Sequence, residues 1–258
     1  MNKKRYLFFD IDGTLMTGGY EDGYIPESAQ KALALLKENG HFLAIATGRA
    51  NFMARPIMRY LGFENMVSDG GYGITIENRL LGIRPLCREK VITLIHECDE
   101  KGFPWGIQID DSDTRLAPDT RFFAATNDTY LKTKVIPGLQ PEDVPEIYKM
   151  YVACESPYEQ TLETLSALPW CRYHSSYFFV EPTFKAEGIR RVMDHFHADY
   201  RDVIVFGDAL NDLSMFTDDW TKVAMGNAIP ELKARADYVT TDVDKDGIYN
   251  ACAALNLF

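Results

Sequence analysis

The chain has 258 residues, which is enough for one large domain or two smaller ones with a sizeable buried core. Hydrophobic residues make up 46% and charged residues 25% of it, as in an ordinary globular protein. The formal net charge of −11 argues against nucleic acid or an anionic membrane as the main partner, because no excess of basic residues is present to neutralise phosphate backbones. A small phosphorylated molecule is still compatible as a partner, since local charge can oppose the overall sign.

Cysteine usage and the distribution of apolar residues bear on the compartment. The five cysteines form no CxxC pair and their number is odd, so neither a disulfide framework nor a zinc ribbon is expected. A reducing compartment, the cytoplasm, fits best. The apolar run that follows the basic N-terminus is too short for a signal peptide, and no run approaches the ~20 residues of a membrane-spanning helix.

The first third of the chain alternates strand and helix patterns. Continuous apolar runs predict strands that are buried on both faces, and the stripe of Ala29, Ala32, Leu33 and Leu36 predicts a helix that ends before Gly40. In chain order, the predicted elements are strand 6–9, helix 27–39, strand 41–46, helix 51–61 and strand 66–68. This alternation favours a doubly wound parallel sheet.

The pattern changes in the middle third. After about residue 84 it predicts a helix and then short strands, two of which are joined by the turn sequence DDSD. The predicted elements are helix 88–101, strands 105–109, 114–117, 149–154 and 177–180, helices 119–127 and 158–167, and a loop at 136–145. We interpret this region as an antiparallel α+β module.

The alternation of strand and helix resumes from Lys185. The predicted elements are helix 186–196, strand 202–206, helix 210–216, strand 222–225, helix 229–236, strand 238–240 and helix 247–255. The simplest organisation is one α/β domain, residues 1–84 and 182–258, into which a second α+β domain, residues 85–181, is inserted.

Two carboxylates follow the first strand directly, in the sequence Asp10-Ile11-Asp12-Gly13-Thr14. They therefore lie at the carboxyl end of that strand, which is where ligands bind in open α/β sheets. Two aspartates at this spacing can serve one site, with one attacking phosphorus and the other handling the proton of the leaving group. An ordinary strand-to-turn sequence is the alternative.

A second acidic sequence, GDALND, follows the apolar run 203–206. Asp208 and Asp212 are four residues apart where a loop enters a helix, so both can face one ligand. Clustered carboxylate oxygens suit a hard cation such as Mg²⁺. A helix N-cap formed by Asp208 or Asn211, without a metal, is the alternative, and the presence of the first acidic motif favours the metal.

Two further sequences suggest phosphate contacts. The sequence ATGR follows the second predicted strand, and Lys185 stands where the strand–helix alternation resumes. The hydroxyl of Thr47, the amide of Gly48 and the guanidinium of Arg49 can cradle a phosphate at a strand end. An ordinary turn at residues 47–49 and a solvated lysine at a helix start are the alternatives.

With these four motifs in this order, the chain resembles the haloacid dehalogenase superfamily, and within it the Cof-type phosphatases with a type IIB cap. The similar segments are DIDGT at 10–14, ATGR at 46–49, KAEGI at 185–189 and GDALND at 207–212, followed by VAMGNA at 223–228 and ADYVT at 236–240. The resemblance spans nearly the whole chain. It implies a Rossmann-like core domain, with the insertion at 85–181 acting as a cap that closes over the site and sets substrate specificity.

The resemblance also implies a role for each motif residue. Asp10 would be the nucleophile and Asp12 the general acid and then base, while Thr47 and Lys185 would hold the phosphoryl oxygens. The groups that would bind Mg²⁺ or support it are Asp10, the backbone carbonyl of Asp12, Asp208, Asp212 and Asn211. Mg²⁺ and Lys185 would offset the repulsion between clustered aspartates and an anionic phosphoryl group.

One position departs from the resemblance. Many relatives have Asn-Gly after the third strand, where this chain has Asp69-Gly70-Gly71. A carboxylate at residue 69 would lie at the same sheet edge as Asp10 and Thr47, where, together with Gly70, it could contact hydroxyl groups of a substrate. A turn aspartate that caps the glycine bend is the alternative.

The expected function is a phosphatase for small phosphorylated metabolites, with sugar phosphates as the class that many relatives hydrolyse, acting through an aspartyl-phosphate. A phosphomutase and a catalytically silent metabolite-binding module stay open as alternatives. The intact acidic motifs argue against the silent module, and the insertion holds only scattered basic residues for the second phosphate that a mutase binds. A dehalogenase is disfavoured because halide leaves without the proton that Asp12 would supply. The sequence does not indicate an oligomeric state.

Overall fold

A computed structural model describes residues 3–18 and 23–258. Within these ranges the strands are β1 Tyr6–Phe9, β2 Phe42–Ala46, β3 Asn65–Ser68, β4 Gly73–Ile76, β5 Arg79–Ile83, β6 Trp105–Gln108, β7 Thr114–Ala117, β8 Lys132–Val135, β9 Lys149–Ala153, β10 Trp170–Cys171, β11 Tyr177–Val180, β12 Val203–Gly207, β13 Thr221–Ala224 and β14 Tyr238–Val239. The α-helices are α1 Glu27–Glu38, α2 Asn51–Tyr60, α3 Arg88–Lys101, α4 Arg121–Thr126, α5 Lys185–His195, α6 Pro230–Lys233 and α7 Gly247–Ala254. Shorter 3₁₀ helices lie at Asp69–Gly71, Pro141–Asp143, Tyr158–Thr161, Thr164–Ala167, Tyr200–Asp202 and Leu210–Met215. None of the helices in these ranges is both long and apolar enough to cross a membrane.

The described chain divides into two compact units. The first unit contains the chain up to Gly82 and the segment Phe184–Phe258, and the second unit contains Ile83–Thr183. The junctions predicted from the sequence, after residues 84 and 181, lie close to these positions.

The first unit is built on an eight-stranded sheet with the strand order β14-β13-β12-β1-β2-β3-β4-β5. From β14 to β3 the neighbouring strands run parallel, and β4 returns antiparallel to β3. Leu7, Phe8 and Phe9 of β1 have no exposed surface, as expected for a strand that is packed on both faces. The predicted α/β core is confirmed, and the loops that follow β1, β2, β3 and β12 meet at one edge of the sheet.

Helix α5 lies unusually close to the sheet because it contains Gly188. A β-carbon at residue 188 would lie 2.4 Å from Cγ1 of Val67 on β3 and 2.9 Å from the carbonyl oxygen of Gly71. A side chain at this position would therefore push the helix away from the strand. The close approach brings the first residue of the helix, Lys185, to the loops at the sheet edge.

The hairpin formed by β4 and β5 was not predicted from the sequence. Glu77 and Asn78 connect these strands and have φ angles of +50° and +63°. Two successive residues in the left-handed region give the turn geometry that suits the twist of a two-residue hairpin. The sequence signal for this hairpin was weak because the first turn residue is a glutamate, which is uncommon in such turns.

Two helices predicted for the last third differ from the structure, the first in type and the second in length. The segment predicted as helix 210–216 is the 3₁₀ helix Leu210–Met215, and the segment predicted as helix 229–236 contains only α6. In the first case the side chain of Asp212 bonds to the backbone just before the helix and fixes a tight turn. Apolar spacing alone does not distinguish these short turns from a longer α-helix.

The second unit is built on a six-stranded sheet with the strand order β10-β11-β9-β6-β7-β8. Neighbouring strands are antiparallel, as predicted, except for β7 and β8, which are parallel and correct the expectation of a wholly antiparallel module. Strand β8 was not predicted. It lies at an edge of the sheet with Lys132 and Lys134 exposed, so it lacks the apolar alternation that identifies most strands.

The prediction of a helix at 158–167 is wrong, because two short 3₁₀ helices occupy this segment. Leu162 and Leu165 are both buried, and their three-residue spacing fits either kind of helix. The backbone N–H of Thr164 donates to the Glu97 carboxylate of α3 at 3.1 Å, which fixes the second turn against that helix. Tertiary contacts, rather than local preference, decide the conformation here.

A buried ion pair joins β7 to the segment before β8. Arg115 has no exposed surface, and it donates to the carboxylate of Asp128 and, at 2.9 Å, to the hydroxyl of Thr133. Its guanidinium carbon lies 4.3 Å from the ring centre of Phe122 and 5.1 Å from that of Tyr151. Charge pairing and aromatic contacts compensate for part of the cost of burying the arginine, whose Nη1 has no hydrogen-bond partner among the described residues.

Replacing Asp128 by alanine should destabilise the second unit strongly. The change leaves the Arg115 charge buried without its carboxylate, which typically costs about 3–5 kcal/mol. Asp119→Ala is a matched control, because Asp119 pairs with Arg121 in the same segment but both side chains are largely exposed. Urea unfolding followed by circular dichroism measures both variants, and equal losses of unfolding free energy would contradict the argument.

Candidate active site

The candidate site begins with Asp10, which follows β1 directly. Its backbone N–H donates to the carbonyl oxygen of Phe206 at 3.0 Å, so the β1–β12 ladder continues one residue beyond the strand. The residue is only 3% exposed. The main chain therefore holds the carboxylate of Asp10 in place at the carboxyl edge of the sheet.

Lys185 bridges two of the predicted carboxylates. Its Nζ lies 2.6 Å from Oδ1 of Asp10 and 2.6 Å from Oδ1 of Asp212, and the lysine is 1% exposed. Burial opposes the charge of the ammonium group, but the two carboxylates together raise the pKa of Lys185 above its usual value. The lysine therefore stays protonated and supplies a fixed positive charge to the site.

Asp212 is held by the turn that precedes it. Its Oδ2 accepts hydrogen bonds from the backbone N–H groups of Asp208 at 2.9 Å and Ala209 at 3.0 Å. Gly207 leaves room for this side chain, since a β-carbon at residue 207 would lie 2.7 Å from Cβ of Asp212. Asp212 can therefore fix the loop after β12 and contact Lys185 at the same time.

Asp208 is packed against the loop that follows β1. The hydroxyl of Thr14 donates to its Oδ1 at 2.9 Å. Gly13 has a φ of +80°, and a β-carbon there would lie 2.2 Å from Oδ2 of Asp208. Glycine is required at residue 13 both by the backbone conformation and by the carboxylate that touches it.

The carboxylates of Asp10, Asp208 and Asp212 form a cluster whose oxygens can all lie within 4.8 Å of one another. Burial and the charge of Asp212 raise the pKa of Asp208 to about 7. Burial and Asp212 also raise the pKa of Asp10 well above its usual range, against the opposing effect of Lys185. A divalent cation would relieve this crowding of negative charge, and an all-oxygen donor set is the kind that Mg²⁺ prefers, so the residues present fit that ion.

Asp12 lies outside this cluster and is paired with Arg49. Nε of Arg49 donates to Oδ2 of Asp12 at 2.8 Å, and Nη2 donates to Oδ1. Arg49 is 9% exposed, whereas the side chain of Asp12 is 47% exposed. The guanidinium of Arg49, which was expected to contact a substrate phosphate, is thus paired with the expected acid–base residue, and the phosphate contact stays a prediction. The pairing arises because β1 and β2 are neighbours and their loops end side by side.

Thr47 and Gly48 lie in the loop after β2, as predicted. Thr47 is 1% exposed, and its hydroxyl oxygen accepts a hydrogen bond from the backbone N–H of Arg49 at 3.1 Å. Gly48 faces Asn211, since a β-carbon at residue 48 would lie 3.5 Å from Nδ2 of that asparagine. The structure thus brings the loops after β2 and β12 together at the same edge as Asp10.

Asp69 makes the contacts of a structural residue. It is 5% exposed, and its Oδ2 accepts hydrogen bonds from the backbone N–H of Asn51 at 3.1 Å and the hydroxyl of Ser68 at 2.9 Å. Asn51 is the first residue of α2, so the carboxylate satisfies a helix N-terminus. Gly70 donates its N–H to the carbonyl of Thr47 at 3.1 Å and links the same loops. The two carboxylate bonds hold α2 and Ser68 rather than the Gly70–Gly71 bend, so Asp69 has a structural role other than the turn cap that the sequence suggested.

Three residues of the site had no role in the sequence analysis. Thr14 contacts Asp208, the hydroxyl oxygen of Ser214 accepts from the backbone N–H of Lys185 at 3.2 Å, and Asn227 contacts the loop after β1. Thr14 and Asn227 lie within the DIDGT and VAMGNA segments, so their place in a motif was the available signal. Ser214 lies outside every motif.

Comparison with known proteins agrees with this geometry. A model of the haloacid dehalogenase-like hydrolase family matches residues 7–252. YkrA of Bacillus subtilis (strain 168), a protein provisionally named as a phosphatase, is 33% identical to this chain. The match covers 98% of this chain and 98% of YkrA. The 5-amino-6-(5-phospho-D-ribitylamino)uracil phosphatase YitU of the same strain is 28% identical over 96% of each chain.

A solved structure extends the similarity. The sugar phosphatase BT4131, of haloacid dehalogenase subclass IIB, has a TM-score of 0.78 and 26% identity, over 99% of this chain and 100% of its own. The similarity therefore covers both units of the fold. The chain belongs to the haloacid dehalogenase-like hydrolase family and is a phosphatase of that family.

Proposed function

We propose that this phosphatase acts in the cytoplasm on small phosphorylated metabolites, with sugar phosphates as its substrate class, and depends on Mg²⁺ and a transient aspartyl-phosphate on Asp10. The observation that carries the proposal is the 2.6 Å contact between Nζ of Lys185 and Asp10 within a cluster of three carboxylates. The name of BT4131 as a sugar phosphatase and that of YitU as a phosphatase of a phosphoribityl compound support the substrate class. The free thiols of all five cysteines support a reducing compartment.

In the first step of this mechanism, a carboxylate oxygen of Asp10 attacks the phosphorus of the substrate. The bond from phosphorus to the ester oxygen breaks, and Asp12 donates a proton to that oxygen so that an alcohol leaves. The phosphoryl group is then bound to Asp10 as an acyl phosphate. For this step one oxygen of Asp12 must leave Arg49 and take up a proton before it donates to the ester oxygen, and the 47% exposure of the Asp12 side chain supports that exchange with solvent.

In the second step, water attacks the phosphorus of the acyl phosphate. Asp12, now ionised, accepts a proton from that water, the bond from phosphorus to the Asp10 oxygen breaks, and inorganic phosphate is released. Both catalytic carboxyl groups return to their starting states. The same residue thus acts as acid and then as base.

The remaining residues hold the phosphoryl group. Lys185 offers a buried ammonium group beside Asp10, and the hydroxyl of Thr47 can donate its proton to a phosphoryl oxygen while it accepts from the backbone. Asp10 and Asp208, with Asp212, Asn211 and the backbone carbonyl of Asp12 in support, would hold Mg²⁺. When bound, Mg²⁺ would neutralise charge on the transferring phosphoryl group.

We assign substrate selection to the second unit, Ile83–Thr183, which corresponds to the inserted cap domain expected at 85–181. The motif residues that we place in the chemistry all belong to the first unit. Excision of the second unit should therefore change the order of preferred substrates more than it changes Mg²⁺ binding.

The test of the proposed function is phosphate release by purified protein with Mg²⁺. The panel contains hexose and pentose phosphates, sugar-alcohol phosphates, nucleotides, phosphoamino acids and sugar bisphosphates. Free phosphate should appear fastest from sugar or sugar-alcohol monophosphates. Transfer of the phosphoryl group to another position on the sugar, without free phosphate, would instead indicate a mutase.

Asp10→Asn should reduce kcat by about a thousandfold or more, because an amide oxygen is a poor nucleophile at phosphorus. The amide keeps the size of the side chain, so the circular dichroism spectrum should stay unchanged. Asp218→Asn is the control, since this exposed carboxylate pairs with Lys222 away from the site. Turnover of Asp10→Asn near the wild-type rate would refute the aspartyl-phosphate.

Mg²⁺ should bind more tightly as the pH rises towards 7. The pKa of Asp208 is raised to about 7 in the folded protein without metal, so binding below that pH must displace a proton.

The folded pKa of Asp208 lies above the unfolded value of 3.8, so the metal-free protein should lose stability as the pH rises from about 4 to 7. Added Mg²⁺ should then raise Tm more at pH 7.5 than at pH 5.5. At pH 7.5 and a hundredfold excess over Kd, the unfolding free energy should rise by about 2.7 kcal/mol in total.

Thermal unfolding in chelator and in Mg²⁺ measures both effects. Asp208→Asn is the control variant, because its uncharged amide does not titrate and should reduce the pH dependence of the metal-free Tm to the part that Asp10 contributes. An identical Mg²⁺ shift at both pH values in the wild-type protein would contradict the role of these carboxylates.

Arg49→Met should lower kcat about tenfold or more while changing KM little, because Asp12 loses both donors that fix its carboxylate. Arg49→Lys should recover only part of the loss, since an ammonium group does not reproduce the two-pronged contact. Arg59→Met is the control, as Arg59 is an exposed residue of α2. If KM rises instead and kcat is kept, Arg49 contacts the substrate phosphate as the sequence suggested.

A further inference from the structure

The side chain of Asn227 connects three loops at the edge of the sheet. Asn227 follows β13, and its Nδ2 donates to the carbonyl oxygen of Gly13 at 2.9 Å. Its Oδ1 accepts a hydrogen bond from the backbone N–H of Val243 at 2.9 Å. One exposed amide thus joins the loops that follow β1, β13 and β14.

The carbonyl that Asn227 holds belongs to the turn that touches Asp208. Gly13 lies between Asp12, whose backbone carbonyl is one of the expected Mg²⁺ ligands, and Thr14, whose hydroxyl donates to Asp208. A β-carbon on Gly13 would lie 2.2 Å from Oδ2 of Asp208, so the backbone of the turn is already in contact with that carboxylate. A small movement of the turn must therefore change the position of Asp208 or of the Asp12 carbonyl.

The two bonds fix which way the amide faces. The oxygen must face the N–H of Val243 and the nitrogen must face the carbonyl of Gly13, because the flipped orientation places oxygen against oxygen. The N–H of Gly13 bonds within its own loop, to the carbonyl of Met16 at 2.8 Å. The bond from Asn227 therefore connects the loop after β1 to the loop after β13, whereas the bond to Met16 stays within one loop.

We propose that Asn227 is a positioning residue for the metal site, which fixes the Asp12–Thr14 turn against Asp208. It contacts neither the substrate nor the metal, and it acts through the carbonyl of Gly13. The proposal rests on the proposed function in one respect, because it takes Mg²⁺ as the ion that Asp208 binds. Partners that orient metal ligands from outside typically contribute tenfold to a hundredfold to metal affinity or activity.

The test is the binding of Mg²⁺ to Asn227→Asp without substrate, by isothermal titration calorimetry. The aspartate keeps the acceptor for Val243 but replaces the donor to Gly13 by an oxygen that repels the carbonyl. Asn250→Asp is the matched control, because Nδ2 of Asn250 donates at 2.9 Å to the hydroxyl of Thr241, in the loop that also contains Val243. We expect the Mg²⁺ Kd to rise at least tenfold in Asn227→Asp and less than twofold in Asn250→Asp, with similar Tm values in chelator.

A second variant, Asn227→Ala, removes both bonds without adding charge and should weaken Mg²⁺ binding in the same direction. In turnover assays, both Asn227 variants should need more Mg²⁺ for half-maximal rate while the KM for the sugar phosphate changes little. Wild-type Mg²⁺ affinity in Asn227→Ala, or equal affinity in the two aspartate variants, would overturn the inference alone. Absence of Mg²⁺ binding by the wild-type protein would overturn both this inference and the proposed function.

Discussion

The site depends on one contact, the buried ammonium group of Lys185 between Asp10 and Asp212. Two carboxylates that are almost fully buried would repel each other and take up protons if nothing stood between them. The lysine lies 2.6 Å from each of them and allows both to stay close. It thereby sets the position of Asp10, the proposed nucleophile, and, through Asp212, of the loop that contains Asp208.

The close approach of two backbone segments, α5 and β3, makes this contact possible. Lys185 reaches the carboxylates because α5 packs closely on β3, and the helix can do so only because residue 188 has no side chain. Gly207 and Gly13 have the same function for Asp212 and Asp208, since each leaves space for a carboxylate against the main chain. Gly13 and Gly207 are therefore required by the carboxylates that touch them, whereas Gly188 is required by the packing of α5 on β3.

Sequence patterns predicted that the motif residues after β1, β2 and β12 meet, because these strands are parallel and parallel strands end at one edge. Lys185 joins them from the start of α5, where the strand–helix alternation resumes. They did not predict how the side chains pair. Arg49 was expected on phosphate but binds Asp12, since pairing depends on which loops lie side by side, and the strand order is not contained in local spacing. Asp69 was left open between two roles for the same reason, as its partner at the start of α2 is distant in sequence. The short 3₁₀ turns and β8 were missed because tertiary contacts and an exposed edge override the apolar period.

The edges of both sheets have a consequence for self-association. An exposed edge strand offers unpaired backbone groups to another chain, which is a common route to aggregation. At one edge of each sheet, β10 and β14 are only two residues long. At the opposite edges, β8 displays Lys132 and Lys134 and β5 begins with the exposed Arg79. Although the chain is acidic overall, these basic side chains stand where strand addition would otherwise begin, so association of copies through their sheets is disfavoured.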